Sequence, residues 1–500
     1  MLRATTPLGS TASSSKLLRS FSSAAIVAAP KPNPAKALWR NKGKAGATDE
    51  ASPDPSSSSG GSRGGLGNVL DSVTLKPRDL SSLAELQPKA LTEESVGQVK
   101  AFSSQALQAF KNLTIPNLIQ KEFSATTRPA TVVRSVTLKV KNLIDQSKAN
   151  SSESSRTVLS QFHPPARVGP TENRLTDTRH CLSSTDGPSG SGKSVVMLQG
   201  LAYAQATGWI VLYLPSATPL VNSSTSHVYS PQRALFDQPE FAAQFLQRIA
   251  QTNKSVLTSL KTTQPYELLA DRTLPIGTSL YSIITQSSAQ GRSSPLLLEA
   301  LFYELSQQST YPVLLAIDQA QGLFNTTEYV DPTYRKLEAH DLSLPRLLLD
   351  YVGGLKNFVS RGFSSPFCHC SSFFPWSGAP NLTCLIQSNG LVLISPSHQS
   401  STTSAALEEH LSSSPYPSYT PLGPSYQHYS SLISSLRKLT VPSRLEKKEA
   451  LGIVDLLMGF RAIREVGDEG VDDGLFLKAL MESDARVREF RKGLESNQVI

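Results

Sequence analysis

Gly187-Pro188-Ser189-Gly190-Ser191-Gly192-Lys193-Ser194 fits the phosphate-cradling pattern G-x-x-x-x-G-K-[ST] at every fixed position. Glycines at 187, 190 and 192 let the backbone curl so that successive N–H groups point inward at phosphate oxygens, where a side chain would block the approach. Lys193 would then place an ammonium between the β- and γ-phosphates, and the Ser194 hydroxyl would ligate Mg²⁺. Ser189 and Ser191 complete the expected nucleotide-binding set as members of the loop. The residues that follow, Val195 to Ala204, are mostly apolar and read as a buried helix whose positive N-terminal end faces the anion. A Ser/Gly-rich surface loop would not run straight into such a helix.

A loop of this kind is presented by an apolar strand at the carboxyl edge of a sheet. His180 to Asp186 are too polar to supply it, whereas Arg156-Thr157-Val158-Leu159-Ser160 has strand character. Joining Ser160 to Gly187 would give an ordinary strand, loop and helix, so the 26 residues 161–186, which lack periodicity, read as an insertion. A second irregular stretch, 363–389, separates Arg361-Gly362 from the strand-like Leu391-Val392-Leu393-Ile394-Ser395. All four cysteines, Cys181, Cys368, Cys370 and Cys384, fall inside these two stretches, which read as retained introns or lineage-specific surface insertions. Cys368-His369-Cys370 has no matching second pair and so does not carry a zinc site, and four cysteines in 500 residues do not suggest a disulfide framework.

Beyond the loop, Gly208 to Pro215 is a continuous apolar run of strand length, as in a parallel sheet covered on both faces, which predicts an α/β fold. Helices are expected over 239–260 and 295–308. Tyr311-Pro312-Val313-Leu314-Leu315-Ala316-Ile317-Asp318 has the form of a strand delivering a carboxylate to Mg²⁺, so the metal-binding expectation is Ser194 with Asp318. The next residue is Gln319, where a hydrolytic site would carry Glu; an amide can orient water but cannot accept its proton. No catalytic residue is therefore assigned, and a nucleotide should be held with little or no turnover. No N-K-x-D or T-K-x-D signature reads a guanine base. The alternative, an ATPase or nucleotide-dependent switch acting on protein partners, needs a water-activating carboxylate and usually an arginine from a neighbouring subunit; Arg335, Arg346 and Arg361 follow the Asp318 strand.

The flanks differ in character. Residues 1–48 contain no Asp or Glu but eight Lys and Arg among Ser, Ala and Leu, the composition of a mitochondrial presequence. Residues 49–79, rich in Ser, Gly, Pro and Asp, are expected to be a disordered linker. An N-terminal helical extension is expected over 80–127, with Thr92 capping a helix that carries Val96, Val99, Phe102, Leu107 and Phe110. Another helix is expected over 130–146, with Arg134, Lys139 and Lys141 on a solvated face. The main α/β domain would span 128–440, including a Ser/Pro/Tyr-rich surface excursion at 396–430. A C-terminal helical unit would follow over 441–500, with periodic stretches at 443–459 and 474–494. The net charge of +8 favours an anionic partner such as RNA. No run of eighteen apolar residues marks a membrane span, and nothing suggests a DNA-binding module.

Several segments together resemble one family. Arg128-Pro129-Ala130-Thr131, the phosphate loop with its helix, Gly208 to Pro215, Phe236-Asp237-Gln238-Pro239 and the run Leu314 to Tyr329 are similar to the death-associated protein 3 family of mitochondrial small-subunit ribosomal proteins. The resemblance implies an AAA+-like P-loop NTPase core with a parallel sheet, built into the head of the mitochondrial small ribosomal subunit. It further implies GTP or GDP, rather than ATP, held with Mg²⁺ in a structural role at Gly187, Gly190, Gly192, Lys193 and Ser194, with Asp318 on the metal side. The implied partners are small-subunit rRNA and neighbouring ribosomal proteins, and the implied location is the mitochondrial matrix.

Overall fold

Five parallel strands form the centre of the molecule: β1 (Ser155–Gln161), β2 (Ile210–Leu214), β3 (Val313–Asp318), β4 (Gly390–Ser395) and β5 (Arg437–Val441). They lie in the order β5-β1-β4-β3-β2, every pair parallel. The computed structural model describes residues 82–124, 126, 128–149, 155–161, 190–268, 272–287, 291–358, 390–397, 404–411, 425–459 and 473–496, all within the unit Thr74–Ile500. The presequence and linker readings, the 363–389 stretch, and the 161–186 stretch except Gln161 lie outside the described residues, as do Gly187 and Ser189.

Every residue of β2, β3 and β4 is buried, the state in which a parallel sheet has helices on both faces. Alternate side chains serve alternate faces. Val313, Leu315 and Ile317 of β3 enter one core with Ile210, Leu212, Val392 and Ile394. That face is covered by α5 (Pro239–Thr252), α6 (Lys254–Ser259), α7 (Leu280–Ser287), α8 (Ser294–Gln307) and α9 (Ser343–Val352). Leu314 and Ala316 enter the opposite core with Val211, Leu391 and Leu393. Here the cover is α1 (Ser104–Leu113), α2 (Asn117–Ser124), α3 (Ser135–Ala149) and α4 (Lys193–Ala206). The result is a three-layer mixed α/β fold. No described helix is long and apolar enough to cross a membrane.

The two edges of the sheet are closed differently. Strand β5 is polar, with Arg437 and Lys438 exposed, and suits an edge position that faces water. Strand β2 is fully apolar, and the side chain of Asn253 completes its outer rim: Oδ1 accepts from Val211 N at 2.9 Å and Nδ2 donates to Val211 O at 2.8 Å. One amide thus stands in for a neighbouring strand.

Several local expectations changed. The helix expected from Thr92 is a turn, Glu93–Ser95, then a strand, Val99–Ala101, and only then α1. Gly97 at φ +87° breaks the path, and Ser103 Oγ accepts from Ala106 N at 3.2 Å to start the helix there. The 130–146 stretch opens as a strand, Ala130–Val132, antiparallel to Val99–Ala101, before α3 begins. Residues 396–430 hold α10 (Ala405–Leu411) and the start of α11 (Tyr426–Ile433), and Ala406, Leu407, Tyr429, Leu432 and Ile433 of these helices join the first core. At the C terminus lie α12 (Lys447–Gly459), α13 (Asp473–Glu482) and α14 (Val487–Ser496). Asp484 and Ala485, both at positive φ, make the turn that interrupts the 474–494 periodicity.

Candidate functional site

The site is built where α4 begins beside the carboxyl ends of β3 and β4. Gly192 caps α4 in the left-handed conformation at φ +86°, and Gly190 stands at φ +112°. A Cβ on Gly190 would come within 2.5 Å of Arg488 Cβ, so this glycine is required by close approach as well as by backbone angle. Lys193, the first residue of α4, is only 9% exposed. Asp318 ends β3 in register with Ser395 at the end of β4, and is 1% exposed.

These groups are incompletely satisfied. Asp318 Oδ1 accepts from Gln319 N at 2.9 Å, while Oδ2 is buried without a hydrogen-bond partner among the described residues. The hydroxyls of Ser191 and Ser395 likewise lack a partner at hydrogen-bond geometry, although Ser194 and Ser395 stand close enough to the carboxylate to favour its charged form. Burial pushes the Asp318 carboxyl above its usual range, against the opposing pull of Ser194, the Gln319 N–H, Ser395 and Lys193. Burial likewise brings the Lys193 ammonium down to about 8, with Asp318 partly offsetting the fall. A native interior seldom leaves so many polar groups short of partners.

The chemistry that would complete them follows from their types. Lys193 and the N-terminal turn of α4 could hold an anion, and Ser194 with Asp318 could hold a divalent cation. Among the described residues no group of three His, Cys, Asp or Glu could hold a metal. One carboxylate and one hydroxyl suit a hard cation that keeps water and draws its remaining ligands from a bound phosphate.

Gln319 lies beside this cluster at φ +52°. Its Oε1 accepts from Ser216 Oγ at 2.6 Å and, more weakly, from Thr218 Oγ1 at 3.4 Å. The amide oxygen is thus already engaged. Of the arginines considered for a trans-acting role, Arg335 and Arg346 are exposed, and Arg361 lies outside the described residues.

Two features of the site escaped the sequence. Arg134, expected on a solvated face, is 6% exposed and donates from Nη1 to Ser191 O at 2.7 Å. Its charge is met by Glu449, 315 positions away, and no local spacing could pair them. Gln199 is a buried hub on α4: its Oε1 accepts from Thr137 Oγ1 at 2.6 Å, and its Nε2 donates to Thr131 Oγ1 at 2.7 Å and Val132 O at 2.8 Å. An amide inside an apolar helical run was the available signal, since a buried amide needs partners.

Comparison with known proteins places this geometry. Residues 174–366, which contain the whole phosphate-loop motif and Asp318, match the family described as mitochondrial ribosomal death-associated protein 3. The resemblance to this family read from the sequence is thus met by a family match over these residues. The matched range begins inside the 161–186 stretch. The chain is 27% identical over 305 residues to the small ribosomal subunit protein mS29 of Schizosaccharomyces pombe, covering 59% of this chain and 56% of that protein. It is 26% identical over 172 residues to the mS29 protein of Neurospora crassa, covering 34% of this chain and 36% of that one. The matches thus span about half and about a third of the lengths of these two relatives.

Proposed function

We propose that this chain is a structural constituent of the small subunit of the mitochondrial ribosome, in which an AAA+-like P-loop core holds a purine nucleotide, GTP or GDP with Mg²⁺, with little or no turnover. The observation that carries the ribosomal reading is the family match over residues 174–366, together with two relatives that are both small-subunit ribosomal proteins. The protein acts in the mitochondrion, with small-subunit rRNA and neighbouring ribosomal proteins as its partners, and its charge of +8 suits a polyanionic environment.

The nucleotide part rests on the site itself. Gly190, Ser191, Gly192, Lys193 and Ser194 supply the loop, Lys193 faces the phosphates, and Ser194 with Asp318 receives the metal. The Gln319 amide, with its oxygen held by Ser216, supplies no proton acceptor, which favours retention over hydrolysis. Sedimentation of mitochondrial lysate at low and high salt tests the assignment. Comigration with the small subunit that survives high salt is expected. Migration as a free monomer or ring would overturn the ribosomal reading and return the loop to an enzymatic one.

A further inference from the structure

Arg134 makes three contacts to three separate parts of the chain. Nη1 donates to Ser191 O inside the phosphate-loop motif at 2.7 Å, Nε to Glu449 Oε2 on α12 at 3.0 Å, and Nη2 to Pro442 O just past β5 at 3.0 Å. Glu449 is 1% exposed, and its other oxygen accepts from Ser135 N at 2.9 Å and Ser135 Oγ at 3.1 Å. The ion pair is therefore buried and hydrogen-bonded at both ends, the condition under which a buried pair holds a defined geometry.

The contact with Ser191 O has a consequence for the loop. The carbonyl of Ser191 and the N–H of Gly192 belong to one trans peptide plane and point in opposite directions. By holding that carbonyl, Arg134 turns the Gly192 N–H away from itself. Gly192 sits at φ +86°, a conformation that favours glycine, with Arg134 Nη1 3.4 Å from where a Cβ would stand. The guanidinium closes one side of the loop and leaves the amides to the other. Its second arm belongs to α12, so the loop cannot change shape without disturbing that helix. Arg488, reaching Gly190 from α14, adds a further contact between the C-terminal helices and the loop.

We propose that Arg134 is a positioning residue of the phosphate loop, anchored by Glu449, so that anion binding and the seating of α12 are one event. The inference rests on the anion-binding reading of the site and adds to it a coupling to the C-terminal helices. Arg134 does not touch the anion; it fixes the peptide that does.

The test uses the full chain with two probes, fluorescent mant-GDP with Mg²⁺ and inorganic pyrophosphate, and hydrogen exchange of residues 447–459 with and without them. Arg134→Met combined with Glu449→Gln removes both charges and keeps an acceptor for Ser135 N, so no buried charge is stranded. Expected for this pair is at least tenfold weaker binding of both probes, with loss of the ligand-induced protection of 447–459 expected in the wild type. Arg134→Lys, which keeps the charge but cannot make all three contacts, should fall between. A merely structural ion pair would lower the melting temperature without changing affinity or ligand-dependent protection. Binding within twofold of wild type in the double variant would overturn the proposal, and so would wild-type protection of 447–459 that ignores the ligand. Should the double variant not fold, binding by Arg134→Lys within twofold of wild type would overturn it equally. If the wild type binds neither probe, and Lys193→Ala is indistinguishable from it, the nucleotide reading itself falls and takes this inference with it.

Discussion

The residue with the clearest energetic signature is Lys193. Its ammonium titrates at about 8 in the folded chain against 10.5 when unperturbed, so burial of the charge costs roughly 3 kcal/mol at neutral pH. Between those two values the unfolded chain holds the extra proton, and apo stability therefore rises with pH through that window. An anion beside Lys193 supplies the missing partner and raises its pKa, so binding takes up a proton near pH 8. Affinity for pyrophosphate should accordingly fall by up to about tenfold per pH unit above 8. Calorimetry at pH 7, 8 and 9, in buffers of different ionisation heat, measures both the slope and the proton uptake. A flat profile would mean that Lys193 does not face the anion. Gln319 gives the complementary prediction. In Gln319→Glu one carboxylate oxygen can keep the Ser216 hydrogen bond while the other is free to take a proton from water. GTP turnover should rise at least tenfold over wild type, and an unchanged rate would show that more than a base is missing.

At the scale of elements, the apolar strands decide the fold, and the closure of their edges decides how firmly it stands. Asn253 satisfies both backbone groups of Val211 on the free rim of β2 and also donates to Ile249 O at 3.0 Å. Asn253→Leu would bury an unpaired N–H and an unpaired C=O, each worth about 1–3 kcal/mol, so a loss of roughly 2–6 kcal/mol is expected in urea unfolding. A loss below 0.5 kcal/mol would mean that water replaces the amide at that rim. Strands β1 to β4 and helices α4, α5 and α8 were legible because each buries a continuous or periodic apolar face, a signal that resides in neighbouring residues, but the single helix expected over 239–260 breaks at Asn253 into α5 and α6. Strand β5, Arg-Lys-Leu-Thr-Val, was not: an edge strand is half solvated, and its composition matches a loop. The N-terminal helix was misdrawn for a related reason. Phe102 and Phe110 do share a core, but Val99 lies at the margin of another, in a strand that follows a glycine at positive φ. Within the site, the loop and Asp318 could be found by spacing, whereas Ser395 and Arg134 are brought in by β4 register and by Glu449.

At the scale of the whole described unit, the question is whether the C-terminal helices are an appendage or part of the central fold. Helices α12, α13 and α14 and the residues before them have their own core of Leu445, Ala450, Ile453, Val454, Leu457, Phe476, Ala479, Phe490 and Leu494, yet Val132 from the strand Ala130–Val132 is a member of it. Arg491 on α14 pairs with Glu122 on α2, and Glu449 neutralises Arg134 beside the phosphate loop. A chain ending at Val441 would therefore expose Val132 and leave the Arg134 guanidinium without Glu449 and the Pro442 carbonyl. Breaking a buried pair from one side costs about 3–5 kcal/mol, a large share of the 5–15 kcal/mol that holds an ordinary domain together. The truncated chain should melt far below the full chain, if it folds at all. Adding Arg134→Met to it should recover part of the loss, because the variant leaves no guanidinium without its carboxylate partner. Thermal unfolding followed by circular dichroism compares the three chains directly. A truncated chain that melts within two or three degrees of the full one would show instead that the C-terminal helices are dispensable to the core. The loop would then keep its shape without the Glu449 anchor.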